Sequence, residues 1–205
     1  MRKKMGFFQK FLGNIGKRLF WARAEKINLY VLALMARETV VKYQEIYNGD
    51  LEAAVNTLKA QFAEAARSYL MMFMGQIKLI MSKDLKDMEI LSKVALWSIL
   101  GKSVNKYYEG PRYFPPDDPL NKEKIPKFIT TFPKCLLCPS ILDLDIEKYK
   151  DLNYGELIFN ALASLFEMIL DSMGYNYKIS YKETKCFLRG DPYGEIVYFL
   201  HEKIK

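Results

Sequence analysis

The sequence of 205 residues has little of the side-chain chemistry on which most hydrolases depend. It has one histidine, His201, and three cysteines. Neither a Gly-x-Ser-x-Gly nor an HExxH motif is present. A catalytic triad needs a histidine between a nucleophile and an orienting carboxylate, and a lone histidine near the C-terminus argues against that arrangement. The sequence therefore favours binding over catalysis, with a small zinc-dependent enzyme as the alternative.

Long apolar runs are also missing. Lys, Arg, Gln or Glu interrupts every apolar stretch before it reaches the roughly 18 residues that a membrane span needs. The basic N-terminus lacks the small-residue cleavage site of a secretory signal. An odd number of cysteines in such a chain is more typical of a reducing cytosol than of a disulfide framework. We therefore predict a cytoplasmic protein that can lie against a membrane without crossing it.

Acidic residues are absent from the first 24 positions. This segment holds seven of the 31 basic residues, and the other 24 are balanced by 24 acidic ones, so the segment accounts for the formal charge of +7. A nucleic-acid-binding face would spread basic residues over the fold. Binding to nucleic acid is therefore not predicted.

The same segment has the pattern of an amphipathic basic helix. Lys17 and Arg18 lie off a helical stripe of apolar residues, which consists of Phe8, Phe11, Leu12, Ile15 and Leu19. Such a helix binds an anionic lipid surface or docks on protein, either its own domain or a second subunit. We predict a separate helix at residues 1–24 and a single domain at residues 25–205.

Helical periodicity dominates the first half of this domain. Three helices are predicted, the first from Glu25 to Tyr47 and the others by "LEAAVNTLKAQFAEAARSYLMMFMGQIKLIM" and "DLKDMEILSKVALWSILGKSVNKYY". Gly49 is suited to end the first of them, and Asp50 to cap the next. The proline-rich stretch "EGPRYFPPDDPLNKEKIPKF" predicts a loop that ends the helical half.

Alternating patterns appear in the second half. Strands are predicted by "KFITTFPKC", "YKISYKETKCFLR" and "EIVYFLHEKI". Between the first two, "LNYGELIFNALASLFEMILDSMGYN" predicts a helix with Asn153 as cap, Glu156 completing a capping box and Gly174 as left-handed stop. Helices followed by a small antiparallel sheet with one further helix predict an α+β fold. Including the basic helix, about four helices fall in the N-terminal half.

The segment "CLLC" gives Cys135 and Cys138 the spacing of a metal-binding or redox pair. Together with Cys186 and His201 they make a Cys3His set, which suits tetrahedral zinc. Free buried cysteines are the alternative, because reduced cysteine is among the most buried residue types. A redox role is less favoured, because "CLLC" does not begin a helix in a thioredoxin-like unit.

Several of these segments resemble the 4-vinyl reductase domain, which is grouped with the TRAPP vesicle-tethering subunits. The resemblance is carried by the late capped helix, by "KETKC" and by "RGDPYG", and the earlier helices fall in the order of that fold over most of residues 25–203. It implies a domain of the nitric-oxide-signalling and Golgi-transport ligand-binding fold, which forms a homodimer and binds a hydrophobic small molecule.

The cysteines can be compared with that family position by position. In the 4-vinyl reductase branch a CxxC pair and two cysteines around a Gly-Asp turn imply a metal or redox site. Cys135, Cys138 and Cys186 match the first three positions, and Gly194 stands where the fourth cysteine commonly lies. The TRAPP branch has a cysteine near the start of its third helix that takes an acyl chain, and "SKDLKDME" has none.

Methionine and aromatic residues supply a candidate lining for an apolar ligand. Methionine adapts to irregular apolar shapes, although ordinary core packing is the alternative interpretation. The predicted lining consists of Met71, Met72, Met74, Trp97, Phe166 and Met168. We therefore predict non-enzymatic binding of a hydrophobic small molecule, with a zinc site. The alternative is a dimeric tethering protein that attaches to a membrane or partner through its basic helix.

Overall fold

The computed structural model describes residues 29–80, 82–101, 104–135, 137–138 and 156–203. The helices in these ranges are α1 (Leu29–Ile46), α2 (Leu51–Ile80), α3 (Met88–Leu100), α4 (Val104–Tyr107) and α5 (Glu156–Ser172). The strands are β1 (Pro111–Phe114), β2 (Lys127–Phe132), β3 (Tyr177–Lys185) and β4 (Gly194–Glu202). The predicted α+β class is confirmed. The predicted basic helix at residues 1–24 lies outside the described ranges.

Helices α1 and α2 form an antiparallel hairpin. Its turn is built as the sequence predicts, because Gly49 has a φ of 94° and the Ala53 N–H donates to Asp50 Oδ1 at 2.9 Å. Tyr43 on α1 is hydrogen-bonded to Gln61 on α2, and the Tyr47 and Thr57 hydroxyls are 3.0 Å apart. These contacts set the register of the two helices, with Tyr43 opposite Gln61 and Tyr47 opposite Thr57.

The four strands form one antiparallel sheet in the order β1-β2-β4-β3. Phe132 at the end of β2 pairs with Gly194 at the start of β4, and Lys185 at the end of β3 pairs with Glu195. One end of the sheet therefore brings together the end of β2 and the β3–β4 turn. Helix α5 contacts both α2 and β3, so it covers the sheet at this position.

Aromatic side chains form the centre of the core between α5 and the sheet. Phe166 is fully buried, with its ring centroid 5.9 Å from that of Phe128 and 5.0 Å from that of Tyr198. Leu91 and Val94 of α3 belong to the same cluster. A smaller cluster holds α1 against α2 through Ala33, Ala36, Val40, Ala54, Val55 and Leu58.

One local prediction differs from the structure and another is not tested by it. The predicted loop after Glu109 contains β1, an edge strand that accommodates Pro111 because an edge residue does not need its N–H for pairing. The predicted capping box joins Glu156 to Asn153, which lies outside the described residues, so that role stays a prediction. The Glu156 carboxylate also lies 2.9 Å from the Lys59 ammonium on α2.

Candidate functional site

The CxxC pair follows directly after β2. Cys135 and Cys138 are joined by a disulfide, with their Cα atoms 5.5 Å apart, and Cys186 is a free, buried thiol. The Cys138 backbone N–H lies 2.8 Å from Cys135 Sγ and donates to it. The sequence predicts thiols that bind zinc or fill the core, whereas the chain at this point brings the two sulfur atoms within bonding distance.

The turn between β3 and β4 closes around Cys186. Its backbone N–H donates to Asp191 Oδ2 at 2.7 Å, and its carbonyl accepts from the Asp191 N–H at 3.2 Å. Gly190 has a φ of 87°, a left-handed conformation that glycine adopts without steric cost. The Gly-Asp pair recognised in the sequence therefore holds Cys186 at the same end of the sheet as the disulfide.

A buried carboxyl group lies beside this turn. The Glu183 side chain is only 2% exposed, and the guanidinium of Arg189 lies 3.0 Å from its carboxylate. Burial raises the pKa of Glu183, and Arg189 opposes that shift. Burial, followed by the charge of Glu183, also raises the pKa of the Cys186 thiol. Cys186 is therefore protonated at neutral pH, which makes it a weak nucleophile.

A small, partly open pocket with a cavity volume of about 30 Å³ lies between the end of β2, α5 and the β3–β4 turn. The residues that line it are mainly apolar, with one cysteine and one carboxyl group: Phe132, Cys135, Leu137, Ile158, Phe159, Glu183, Phe187 and Gly194. A β-carbon added at Gly194 would lie 3.4 Å from the β-carbon of Phe132. The pocket can hold a small apolar group next to a sulfur atom.

The four predicted zinc ligands are not brought together. The sulfur atoms of Cys135 and Cys138 are bonded to each other in the disulfide. His201 lies at the opposite end of β4 from Cys186, about 20 Å away along the strand. The His201 ring instead lies 2.7 Å from the Ser180 hydroxyl. In the parts of the chain that the structure describes, no three His, Cys, Asp or Glu residues form a group that could hold a metal ion.

The predicted ligand-lining residues lie in two different environments. Trp97 and Phe166 are buried in the core, and Met74 and Met168 pack against its edge. Met71 and Met72 are 68% and 73% exposed. None of the six lines the pocket beside Cys135.

The residues that do line this pocket could have been found near the cysteines. Phe132 precedes "CLLC" and Phe187 follows Cys186, so both adjoin the residues selected for their chemistry. Glu183 continues the alternation of Ile179 and Tyr181 along β3 and therefore faces inward with them. A charged residue on the inward face of a strand is a signal of function or of pairing, and this signal was missed.

No helix within the described ranges combines the length and the hydropathy needed to cross a membrane.

Comparisons with known proteins show a likeness in fold. No model of a protein family matches the chain, and no curated protein matches it. Among solved structures it is similar to a trafficking protein particle complex subunit 3 from Naegleria fowleri, in a crystal structure with covalently bound palmitic acid. The two are 21% identical over 87% of this chain and 98% of that chain, with a TM-score of 0.59.

This likeness bears on the resemblance found in the sequence. It supports the TRAPP part of that resemblance, and none of the comparisons supports the 4-vinyl reductase part. At this level of identity the likeness concerns the fold. The chain has a TRAPP-like fold.

Proposed function

We propose that this protein is a non-enzymatic subunit that assembles with other proteins at a membrane surface. The observation that carries the proposal is the TRAPP-like fold, which extends over 87% of this chain and 98% of the similar subunit. The similar protein is named as a subunit of a trafficking complex. We do not propose that this chain binds palmitic acid covalently. Its first cysteine is Cys135, so α3 has no cysteine near its start.

An exposed apolar surface on the α1–α2 hairpin supports assembly. Val31 and Met35 are exposed on α1, and Met71 and Met72 are exposed on α2. Because Tyr43 lies opposite Gln61 in this antiparallel pair, the start of α1 lies level with the part of α2 around Met71. We call Val31, Met35, Met71 and Met72 the hairpin patch. Large apolar residues that are exposed at the same level of a helix pair can mark an interaction site, and we propose a second copy of the chain as the occupant.

The assembly proposal predicts a dimer that depends on the hairpin patch. We expect the wild-type protein to be dimeric in native mass spectrometry and the double variant Met35→Glu/Met72→Glu to be monomeric, because burying unpaired carboxylates in an interface is costly. Leu120→Glu is the matched control, since Leu120 is 74% exposed in the β1–β2 connection and outside the patch. A monomeric wild type, or dissociation of the Leu120 variant alone, would contradict the proposal.

The basic segment at residues 1–24 is proposed as the membrane contact. It combines seven positive charges with apolar residues and precedes α1 directly in the chain. Each basic residue near an anionic surface contributes about 1 kcal/mol of attraction. An amphipathic segment adds burial of its apolar side chains.

This proposal predicts binding to vesicles. We expect the full chain to float with vesicles rich in phosphatidylserine, to float poorly with phosphatidylcholine alone, and to lose flotation when residues 1–24 are deleted. Raised salt should weaken the binding, because the attraction is screened. Flotation that survives the deletion would assign the membrane contact to another part of the chain and overturn this role.

The pocket beside Cys135 favours a second candidate function, the binding of a hydrophobic small molecule. Its aromatic and aliphatic lining suits such a ligand. A retained ligand would appear as added mass in the native spectra described above. A zinc ion held by the reduced cysteines would appear in the same way, and would distinguish the predicted metal site from the disulfide.

A further inference from the structure

The Cys135–Cys138 disulfide is poorly placed to act as a structural cross-link. It joins two residues only three positions apart in one segment after β2. A disulfide stabilises a fold chiefly by constraining distant parts of the unfolded chain, and this effect is small for so short a loop. Both cysteines lie between β2 and α5, so the bond joins no two of the described helices and strands. Its presence at a pocket is therefore better explained by chemistry than by stability.

The two sulfur atoms have different surroundings. Cys135 lines the pocket, and Cys138 is not among the described residues that line it. The Cys138 N–H donates to Cys135 Sγ, and such a donor stabilises a thiolate on that sulfur once the bond is reduced. A molecule in the pocket would thus reach the sulfur whose reduced form is the better stabilised thiolate. Access to the pocket therefore selects Cys135 as the sulfur that is attacked, and the Cys138 N–H makes Cys135 the better leaving group when a second thiol resolves the mixed disulfide.

The pocket wall determines which kind of thiol fits beside Cys135. Phe132, Phe159 and Phe187 supply aromatic surface, and Leu137 and Ile158 supply aliphatic surface. Among the described residues of the lining, the one charged group is Glu183, which is already paired with Arg189. An anionic thiol would lose its hydration here and meet a like charge, whereas an uncharged apolar thiol would gain by burial.

We propose that Cys135–Cys138 is a redox-active disulfide that exchanges with an apolar thiol bound in the pocket. The thiol, as its thiolate, attacks Cys135 Sγ. The bond between the cysteines breaks, and Cys138 leaves as a thiolate that takes up a proton. A second thiol molecule then attacks the sulfur of the bound one, releasing a symmetrical disulfide and the Cys135 thiol. In total the protein disulfide gains two electrons and two protons, and two thiol molecules are oxidised to one disulfide.

The test compares an apolar and a charged thiol on the oxidised full-length protein. Benzyl mercaptan and 2-mercaptoethanesulfonate are added separately in excess, samples are alkylated with iodoacetamide at intervals, and the cysteine peptides are mapped by mass spectrometry. The oxidised peptide spanning residues 132–140, which has the same disulfide without the pocket, measures the intrinsic reactivity of each thiol. The preference is the rate of disulfide reduction by benzyl mercaptan divided by the rate with 2-mercaptoethanesulfonate. We expect this ratio to be about 10-fold higher for the protein than for the peptide. In samples taken early, we also expect the mixed disulfide with benzyl mercaptan on Cys135 and the alkyl group from iodoacetamide on Cys138.

Two variants sharpen the assignment. Cys186→Ser should leave the preference unchanged, since the buried Cys186 thiol takes no part in the exchange. Phe187→Ser should reduce the preference towards that of the peptide, because it opens the apolar wall. The same preference in protein and peptide, an adduct on Cys138, or a disulfide that neither thiol reduces in the folded protein would overturn the proposal. The hairpin patch variants do not alter the pocket, so this result is independent of the assembly proposal.

Discussion

Replacing Phe166 by alanine is expected to lower the free energy of unfolding by about 3–5 kcal/mol. Phe166 is fully buried, and its ring packs between those of Phe128 and Tyr198. Truncation removes these contacts and leaves a cavity that the surrounding side chains fill only in part. Urea denaturation followed by circular dichroism would measure the loss.

The control for this experiment lies on the same helix. Met168 packs against the edge of the core and is partly exposed, so Met168→Ala should cost only about 1–2 kcal/mol. Similar small losses for both variants would mean that Phe166 borders an empty cavity, which is the ligand-lining role predicted from the sequence. A large difference between them would support its place in a packed core.

Replacing Asn121 by alanine is expected to destabilise the protein by about 1–3 kcal/mol. Asn121 is completely buried in the connection between β1 and β2. Its side-chain amide nitrogen donates to the carbonyl oxygens of Pro115 and Ile125, at 2.8 Å each. Alanine removes this donor from both carbonyls. The Pro115 carbonyl still accepts from the Asp118 N–H at 3.1 Å, so the larger loss falls on the Ile125 carbonyl, and an unsatisfied group of this kind costs about 1–3 kcal/mol.

Hydrogen exchange and thermal unfolding would test this expectation together. Exchange should increase first in the β1–β2 connection, since Asn121 holds that connection together. Asn176→Ala is the matched control, because Asn176 also donates to a carbonyl, that of Lys203 at 3.2 Å, but is exposed. It should cost less than about 1 kcal/mol, because water can replace the lost donor. Equal effects of the two substitutions would contradict the role assigned to Asn121.

The parts of the fold that could be predicted are those set by local physics. The α1–α2 turn follows from the conformational freedom of Gly49 and the capping side chain of Asp50. The alternation along β3 and β4 follows from one buried and one exposed face. Strand β1 was missed because its sequence reads as a turn, and its structure depends on pairing with β2, which is a non-local interaction.

The site was only partly predictable. The cysteines could be found by their spacing, but spacing leaves their oxidation state open, and the structure joins Cys135 to Cys138. The distance between Cys186 and His201 depends on strand register, which places Lys178 opposite His201 and Lys185 opposite Glu195. The methionine-rich lining stays a prediction, because apolar composition does not distinguish a side chain that fills a core from one that borders a cavity.

The position of β4 in the sheet has a consequence for synthesis of the protein. β4 comes after every other described element in the chain, and yet it lies between β2 and β3 in space. Until β4 has been synthesised and released, the strand that pairs with both β2 and β3 is missing. The apolar surface that β4 covers is then exposed to water. The helical hairpin and the β1–β2 pair can form earlier from contacts close in sequence. We therefore expect the sheet to be completed late, when β4 inserts between β2 and β3. Before that insertion a chaperone would have the most apolar surface to recognise.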